Sequence, residues 1–242
     1  MIVRAFACAL GFFATLALPA LAEAPFSFDS TPGKLPKTVA PSAYDIALAP
    51  NVKTFTFTGH ETVAVRVRAA TRTIVVNTNA MTVSAASVDA HPAVRITTDV
   101  AKQTTTLTFA SPVPSGKHVV RMSFAGKIGT APQGLFHQDY ATPEGPRTML
   151  ATQMESTDAR RMFPGWDEPS FRATYRLTVT VPKNFDAVSN MPATSVVTDG
   201  DTKTVSFART PNMASYLVAL CAGEFGYVSG TAPDGVKVLT PS

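Results

Sequence analysis

The stretch Ala151–Phe171 contains most of the side chains in this chain that could take part in specific chemistry. Within it lie two adjacent arginines, the only tryptophan and two prolines, together with four carboxylates: Glu155, Asp158, Asp167 and Glu168. Carboxylates can bind a cation or exchange a proton, and arginines can neutralise them. The adjacent carboxylates Asp167 and Glu168 could form an acid–base pair, but neighbouring side chains point in different directions and prolines flank them. A structural ion pair or a turn is therefore the favoured interpretation of those two.

The rest of the chain offers no ligand set for a catalytic metal. The four histidines are separated by at least 18 intervening residues. His60-Glu61 begins like the zinc-protease helix motif, but Ala64 stands where the second histidine belongs, and these residues lie in a predicted strand. No Gly-x-Ser-x-Gly sequence occurs, and the glycines at 129 and 134 lack the lysine of a phosphate loop. The sequence predicts neither a metal site nor a catalytic residue within this chain.

A period of two dominates the chain from residue 41 onward. Apolar residues alternate with smaller or polar ones in several runs: 44–48, 63–68, 105–109, 120–124 and 175–181. Turn-forming sequences such as Asp199-Gly200 separate the runs. Many short strands with regular turns predict an all-β, antiparallel fold, either a sandwich or a curved pair of sheets.

One short helical turn is predicted near 156–163, inside the carboxylate-rich stretch. Ser156 or Thr157 could cap the first amides, and Asp158 would stand in the first turn. The two arginines fall near the other end, where cations complement the helix dipole, and Pro164 ends the helix after barely two turns. Such a tight turn between strands would hold one side chain in a fixed place.

The amino terminus has the features of a secretory signal peptide over residues 1–22. A basic residue precedes an apolar run from Ala5 to Leu18, and small residues follow at Ala20 and Ala22. The run is shorter than the roughly 20 residues that span a bilayer, so no stable membrane anchor is expected. The predicted product is exported, periplasmic or extracellular, and keeps Cys221 as its one cysteine, without an internal disulfide.

The remaining chain is predicted to contain one domain. Residues 23–40, rich in proline, serine, threonine and lysine, are predicted to form an exposed lead-in, and residues 41–242 a single β domain. The formal net charge of +4 comes from scattered basic residues, without the patch or stripe that binds nucleic acid. No nucleic-acid partner is expected.

An ordered set of motifs resembles the amino-terminal domain of the aminopeptidase N family, a branch of the zinc metallopeptidases. The most distinctive is TQMESTDARRMFPGWDEP at Thr152–Pro169. Further matching motifs stand before and after it: Gly134–Phe136, Ser189–Pro192, Thr210–Val218 and Gly223–Val228. The resemblance runs from about Tyr44 to the end of the chain. One departure is Gly165, where many relatives have cysteine.

The resemblance implies a saddle-like β-sandwich docked on a thermolysin-like catalytic domain. It also implies that Glu155 binds the α-ammonium group of a peptide amino terminus and that Gln153 lines the pocket for the first side chain. Met154, between them in a strand, would point to the opposite side and pack inward. From the residues alone, Glu155 would instead be a structural partner of Arg160 or Arg161.

The family's zinc-binding and catalytic motifs follow the point at which this sequence ends. The resemblance therefore implies a parent zinc metalloaminopeptidase that hydrolyses amino-terminal residues from peptides, with its catalytic domain expected after residue 242. This chain would supply substrate recognition and a scaffold, bind no zinc, and be inactive alone. The alternative is a complete, non-catalytic exported β-sandwich that binds a partner.

Overall fold

Strands make up nearly all of the regular structure, which confirms the all-β prediction. The computed structural model describes residues 26–235 and 237–241, with side chains described as far as residue 235. The predicted signal peptide at 1–22 and the start of the predicted lead-in lie outside the described residues. Two short 3₁₀ turns occur within these described ranges, at Ala159–Arg161 and Ser215–Leu217. Among the described residues, no helix is long and apolar enough to cross a bilayer.

The described residues form eighteen strands, numbered here in chain order. They are β1 Val39–Asn51, β2 Thr56–Val67, β3 Thr71–Asn77, β4 Met81–Val88, β5 His91–Pro92, β6 Arg95–Asp99, β7 Thr104–Val113, β8 Gly116–Lys127, β9 Gly134–Thr142, β10 Gly145–Gln153, β11 Arg172–Pro182, β12 Asp186–Ser189, β13 Ala193–Asp199, β14 Thr202–Phe207, β15 Met213–Ala214, β16 Leu220–Gly223, β17 Tyr227–Thr231 and β18 Lys237–Pro241.

These strands form four sheets. The largest has nine strands, eight of them in the order β13-β14-β11-β1-β2-β8-β4-β5, with β15 paired to β11. The others are β12-β16-β10-β9, β3-β7-β6 and the hairpin β17-β18. Neighbouring strands are antiparallel as predicted, except that β1 and β11 run parallel. These two strands are far apart in sequence, so no hairpin dictates their relative direction.

One hydrophobic core connects the three larger sheets. In β2, Phe57, Val63 and Val65 are buried on one face, while Thr58, His60, Thr62 and Ala64 on the other face are partly or fully exposed. Leu107 from the three-stranded sheet and Leu150 from the four-stranded sheet belong to the same buried cluster. The period-two pattern of the sequence therefore gives each strand one apolar face, and these faces meet in a shared interior.

The segment before β1 lies against the β domain. Most residues from 26 to 38 are exposed, but Leu35 is buried. Phe28 packs edge-on against Phe171, with their ring centroids 5.1 Å apart. Strand β1 begins at Val39, so the sheet starts two residues before the predicted boundary at 41.

The helical turn predicted near 156–163 is a single 3₁₀ turn, Ala159–Arg161. The predicted caps, Ser156 and Thr157, are wrong, because Asp158 occupies the N-cap position and makes no side-chain capping hydrogen bond. Its carboxylate instead accepts a hydrogen bond, at 2.7 Å, from the guanidinium group of the last residue in the turn. A charge-assisted bond of this kind is stronger than a bond to a neutral backbone amide.

One carboxyl group lies in the core without a partner. Glu61 faces inward from β2 and is 3% exposed. Neither of its carboxyl oxygens has a hydrogen-bond partner in the part of the chain that the structure describes. Burial disfavours the charged form, and the pKa of Glu61 is therefore well above its ordinary value.

The free energy of unfolding should consequently fall as the pH rises above the ordinary range of a glutamate. The unfolded chain then releases a proton that the folded chain retains, which costs about 1.4 kcal/mol per pH unit for one group. Glu61→Gln cannot ionise and should remove this part of the slope in urea unfolding above about pH 4.5. Glu144→Gln, at an exposed site, is the matched control. An unchanged slope in Glu61→Gln would contradict the assignment.

Candidate functional site

Gln153 and Glu155 lie where β10 ends. Gln153 is the last residue of β10 and pairs with Gly134 of β9. Glu155 follows after one residue, and both side chains are exposed, whereas Met154 between them is only 2% exposed. The inward packing predicted for Met154 is confirmed. The chain therefore presents two polar side chains to the outside and anchors the segment between them in the core.

The Glu155 carboxylate forms no hydrogen bond or ion pair with the residues that the structure describes. Both arginines that could have paired with it have other partners. Arg160 pairs with Asp167 at 2.9 Å, and Arg161 pairs with Asp158 at 2.7 Å. The interpretation of Glu155 as a structural partner of either arginine is therefore wrong, and its carboxylate can accept hydrogen bonds from an external cation.

Local hydrogen bonds fix the path of the chain through this segment. The backbone N–H of Glu155 donates to Oε1 of Gln153 at 3.0 Å. The backbone N–H of Asp158 donates to the carbonyl oxygen of Met154 at 2.9 Å. The segment that carries the free carboxylate is thus held on both sides of residue 155.

Gly134 allows the 3₁₀ turn to approach the end of β9 closely. Its φ is +66°, and a Cβ atom there would lie 2.4 Å from Cβ of Arg161 and 3.1 Å from the carbonyl oxygen of Asp158. Any other residue would have to displace the turn and adopt a backbone conformation that favours glycine. Because Gly134 pairs with Gln153, this contact couples the turn to the end of β10.

A buried ion pair holds the same turn in the protein interior. The side chains of Arg160 and Asp167 are 10% and 3% exposed, and Nε of Arg160 lies 2.9 Å from Oδ2 of Asp167. Nη2 of Arg160 also donates to the carbonyl oxygen of Asp167 at 2.8 Å. The other carboxylate oxygen accepts from Ser215 Oγ at 2.5 Å, and Arg160 Nη1 donates to Gln103 Oε1 at 3.2 Å. Both charged groups are therefore satisfied away from water.

Two further residues extend this network into neighbouring sheets. Asn77 Oδ1 accepts from the backbone N–H of Asp167 at 3.1 Å, and the Asn77 backbone exchanges hydrogen bonds of 2.7 and 3.1 Å with Gly165. Tyr44 Oη accepts from the backbone N–H of Trp166 at 3.2 Å. A Cβ atom at Gly165 would lie 3.1 Å from Tyr44 Oη, so the departure from cysteine noted at this position concerns packing.

The carboxylate of Glu168 binds the lead-in segment. Its Oε1 accepts from the backbone N–H groups of Lys34 and Leu35, each at 2.8 Å. A Cβ atom at Gly33 would lie 2.3 Å from Oε2 of the same side chain. With Asp167 in its ion pair, both members of the adjacent pair make structural contacts, which confirms the favoured interpretation of these carboxylates.

The described residues contain no group of three or more histidine, cysteine, aspartate or glutamate side chains that could hold a metal ion. His60 lies in a strand as predicted, with its ring 3.2 Å from Ser123 Oγ, while the next residue, Glu61, faces the core. Cys221 is a free, partly buried cysteine, and burial raises the pKa of its thiol. A thiol with a raised pKa is a poor nucleophile at neutral pH.

Two members of the buried network carry no signal in the sequence. Gln103 is 57 residues from Arg160, and Asn77 is 90 residues from Asp167. Ser215, 48 residues from Asp167, and Gly134 each lie in a motif that the sequence already singled out.

Comparisons with known proteins agree on one family. Residues 40–217 match the family model described as the Peptidase M1 N-terminal domain. Aminopeptidase N of Acetobacter pasteurianus is 44% identical over 231 residues, which cover 94% of this chain and 65% of that protein. Aminopeptidase M1-B of Oryza sativa subsp. japonica is 37% identical over 85% of this chain and 24% of its own length. The chain thus spans about two thirds of one of these relatives and about a quarter of the other.

Loss of one partner from the buried ion pair should leave an uncompensated charge in the interior. Asp167→Ala is expected to lower the free energy of unfolding by about 3–5 kcal/mol in urea unfolding at neutral pH. The control is Asp158→Ala, which breaks the more exposed pair with Arg161 and should cost at most about 1 kcal/mol. Equal losses in the two variants would show that the buried pair contributes no more to the free energy of unfolding than the more exposed pair.

Gly134→Ala and Gly200→Ala test the close approach of the 3₁₀ turn to β9. Both glycines have a left-handed backbone, with φ of +66° and +56°, but no atom lies within 4 Å of a Cβ at residue 200. Backbone strain should destabilise both variants by about 1 kcal/mol. Gly134→Ala should lose clearly more stability than Gly200→Ala in thermal unfolding, because its Cβ also meets Arg161. Gly134→Ala alone should shift the NMR resonances of Arg161. Matching behaviour of the two variants would argue against the contact.

Proposed function

Because this chain belongs to the M1 peptidase family and carries its amino-terminal domain, we propose that it is the substrate-recognition and scaffold domain of an exported zinc aminopeptidase. The whole protein would hydrolyse the amino-terminal residue from peptides. In this proposal Glu155 binds the α-ammonium group of the peptide, and Gln153 lines the pocket for the first side chain. The names of the relatives, which are aminopeptidases, support this reaction class.

The observation that carries the proposal is the free but well-positioned carboxylate of Glu155. Its neighbour Met154 is buried, and its own backbone amide is hydrogen-bonded, so the residue has a defined location. Its carboxylate has no partner among the described side chains. An ammonium group could therefore bind through charge-assisted hydrogen bonds without first displacing an arginine.

Recognition of the amino terminus would also contribute to catalysis. An exopeptidase cleaves at a fixed distance from a free amino group, so a carboxylate at a fixed position determines which peptide bond reaches the reacting groups. Part of the binding energy at Glu155 would then appear as correct orientation of the scissile bond rather than as tighter ground-state binding alone.

The described residues do not fit a zinc ion, because they contain no group of three possible ligands. We therefore assign zinc and the general base to a thermolysin-like catalytic domain expected after residue 242, and we assign no step at the metal to this chain. The chain alone is proposed to be inactive. From the signal-peptide features of residues 1–22, we also propose a periplasmic or extracellular location for the enzyme.

Glu155→Ala in the complete gene product should reduce kcat/KM for peptide hydrolysis by about 10²–10³-fold, because the ammonium group loses its charged partner. Glu155→Gln should retain hydrogen bonding without the charge and give a smaller loss. The measurement is steady-state hydrolysis of short peptides with free amino termini, together with the zinc content of each variant.

Glu144→Ala provides the control, because Glu144 is exposed at the opposite end of the β9–β10 hairpin. This variant should keep the wild-type kcat/KM. A Glu155→Ala enzyme with a normal zinc content and a near-normal rate would refute the role proposed for Glu155.

A further inference from the structure

We propose that Gln153 is a positioning residue for Glu155, in addition to any contact of its own with a substrate. This inference rests on the proposed function of Glu155. It starts from one hydrogen bond, in which the backbone N–H of Glu155 donates to Oε1 of Gln153 at 3.0 Å. The bond joins the two exposed residues of the site directly.

The amide of Glu155 needs this acceptor because it has left the sheet. The pairing of β10 with β9 ends at Gln153 and Gly134, so residue 155 has no opposing strand to accept its N–H. An amide at such a position bonds either to water or to a nearby side chain. The oxygen of Gln153 fills that need and restrains the backbone from which the Glu155 carboxylate extends.

Gln153 is itself held in place. It is the last paired residue of β10, opposite Gly134, and Gly134 lies against the stem of Arg161 in the 3₁₀ turn. The next residue, Met154, is buried. The hydrogen bond therefore joins an anchored strand end to the backbone amide of Glu155, whose carboxylate has no partner among the described residues.

This geometry assigns different tasks to the two ends of the Gln153 amide group. Because a backbone N–H can only donate, the oxygen of the amide faces Glu155 and the NH₂ group faces away. A residue that only lines the first side-chain pocket should affect substrates according to their first side chain. A residue that positions Glu155 should affect every substrate alike, since all of them carry the same ammonium group.

The two tasks can be separated with Gln153→Met and Gln153→Glu in the complete gene product. Methionine keeps the length of the side chain but lacks the acceptor oxygen, whereas glutamate keeps the acceptor. Gln153→Met should lower kcat/KM by about 3–10-fold, the worth of one hydrogen bond. A loss of this size should be common to peptides that begin with alanine and with leucine, whatever further loss the pocket contact adds, and Gln153→Glu should lose less.

A double-mutant cycle gives the decisive comparison. In the Glu155→Ala background, Gln153→Met should lose the component of the kcat/KM decrease that is common to all peptides, because the positioned carboxylate is gone. Independently of activity, hydrogen exchange at the amide of residue 155 should be faster in Gln153→Met and close to wild type in Gln153→Glu. The control is Gln138→Met, which replaces an exposed glutamine on the neighbouring strand β9. It should change neither kcat/KM nor the hydrogen exchange at residue 155.

Losses that depend wholly on the first side chain and that add in full to the loss from Glu155→Ala would overturn this inference and leave Gln153 as a pocket wall. Unchanged hydrogen exchange in Gln153→Met would overturn it as well. Failure of the proposed function is distinguishable, because in that case Glu155→Ala alone would leave kcat/KM near the wild-type value.

Discussion

The buried ion pair between Arg160 and Asp167 is the interaction on which the rest of the site depends. Two charges taken out of water are destabilising unless their donors and acceptors are satisfied. Here the charged groups bond to Gln103, from the approach to β7, and to Ser215, from the second 3₁₀ turn, while Asn77 at the end of β3 accepts from the backbone N–H of Asp167. The pair is therefore satisfied only when separate parts of the fold have assembled, and that assembly fixes the turn beside Glu155.

The four carboxylates of Ala151–Phe171 differ in whether they already have a bonding partner. Asp158 and Asp167 each pair with an arginine, and Glu168 accepts two backbone amides. A carboxylate that is already paired would have to lose that partner before it could bind a ligand. Glu155 has no such partner in the described part of the chain. Satisfying the other three carboxylates leaves one at a defined position and available for a cation.

A comparison of Glu61 with Glu155 shows that environment, rather than residue type, decides what an unpaired carboxyl group can do. Glu61 is enclosed by the core, where burial raises its pKa and favours the neutral acid. Glu155 is exposed and remains accessible to an incoming charged group. Only the second environment suits recognition of an ammonium group. The buried environment of Glu61 instead makes the stability of the domain depend on pH.

The sequence by itself determined the all-β class, the inward packing of Met154 and the structural use of Asp167, because alternation and motif order are local properties. The tertiary structure alone decided that β1 runs parallel to β11 and that both arginines pair away from Glu155. Those outcomes depend on which residues meet across the core, often tens of positions apart. No local pattern encodes such a meeting, since it is set by how the sheets pack together.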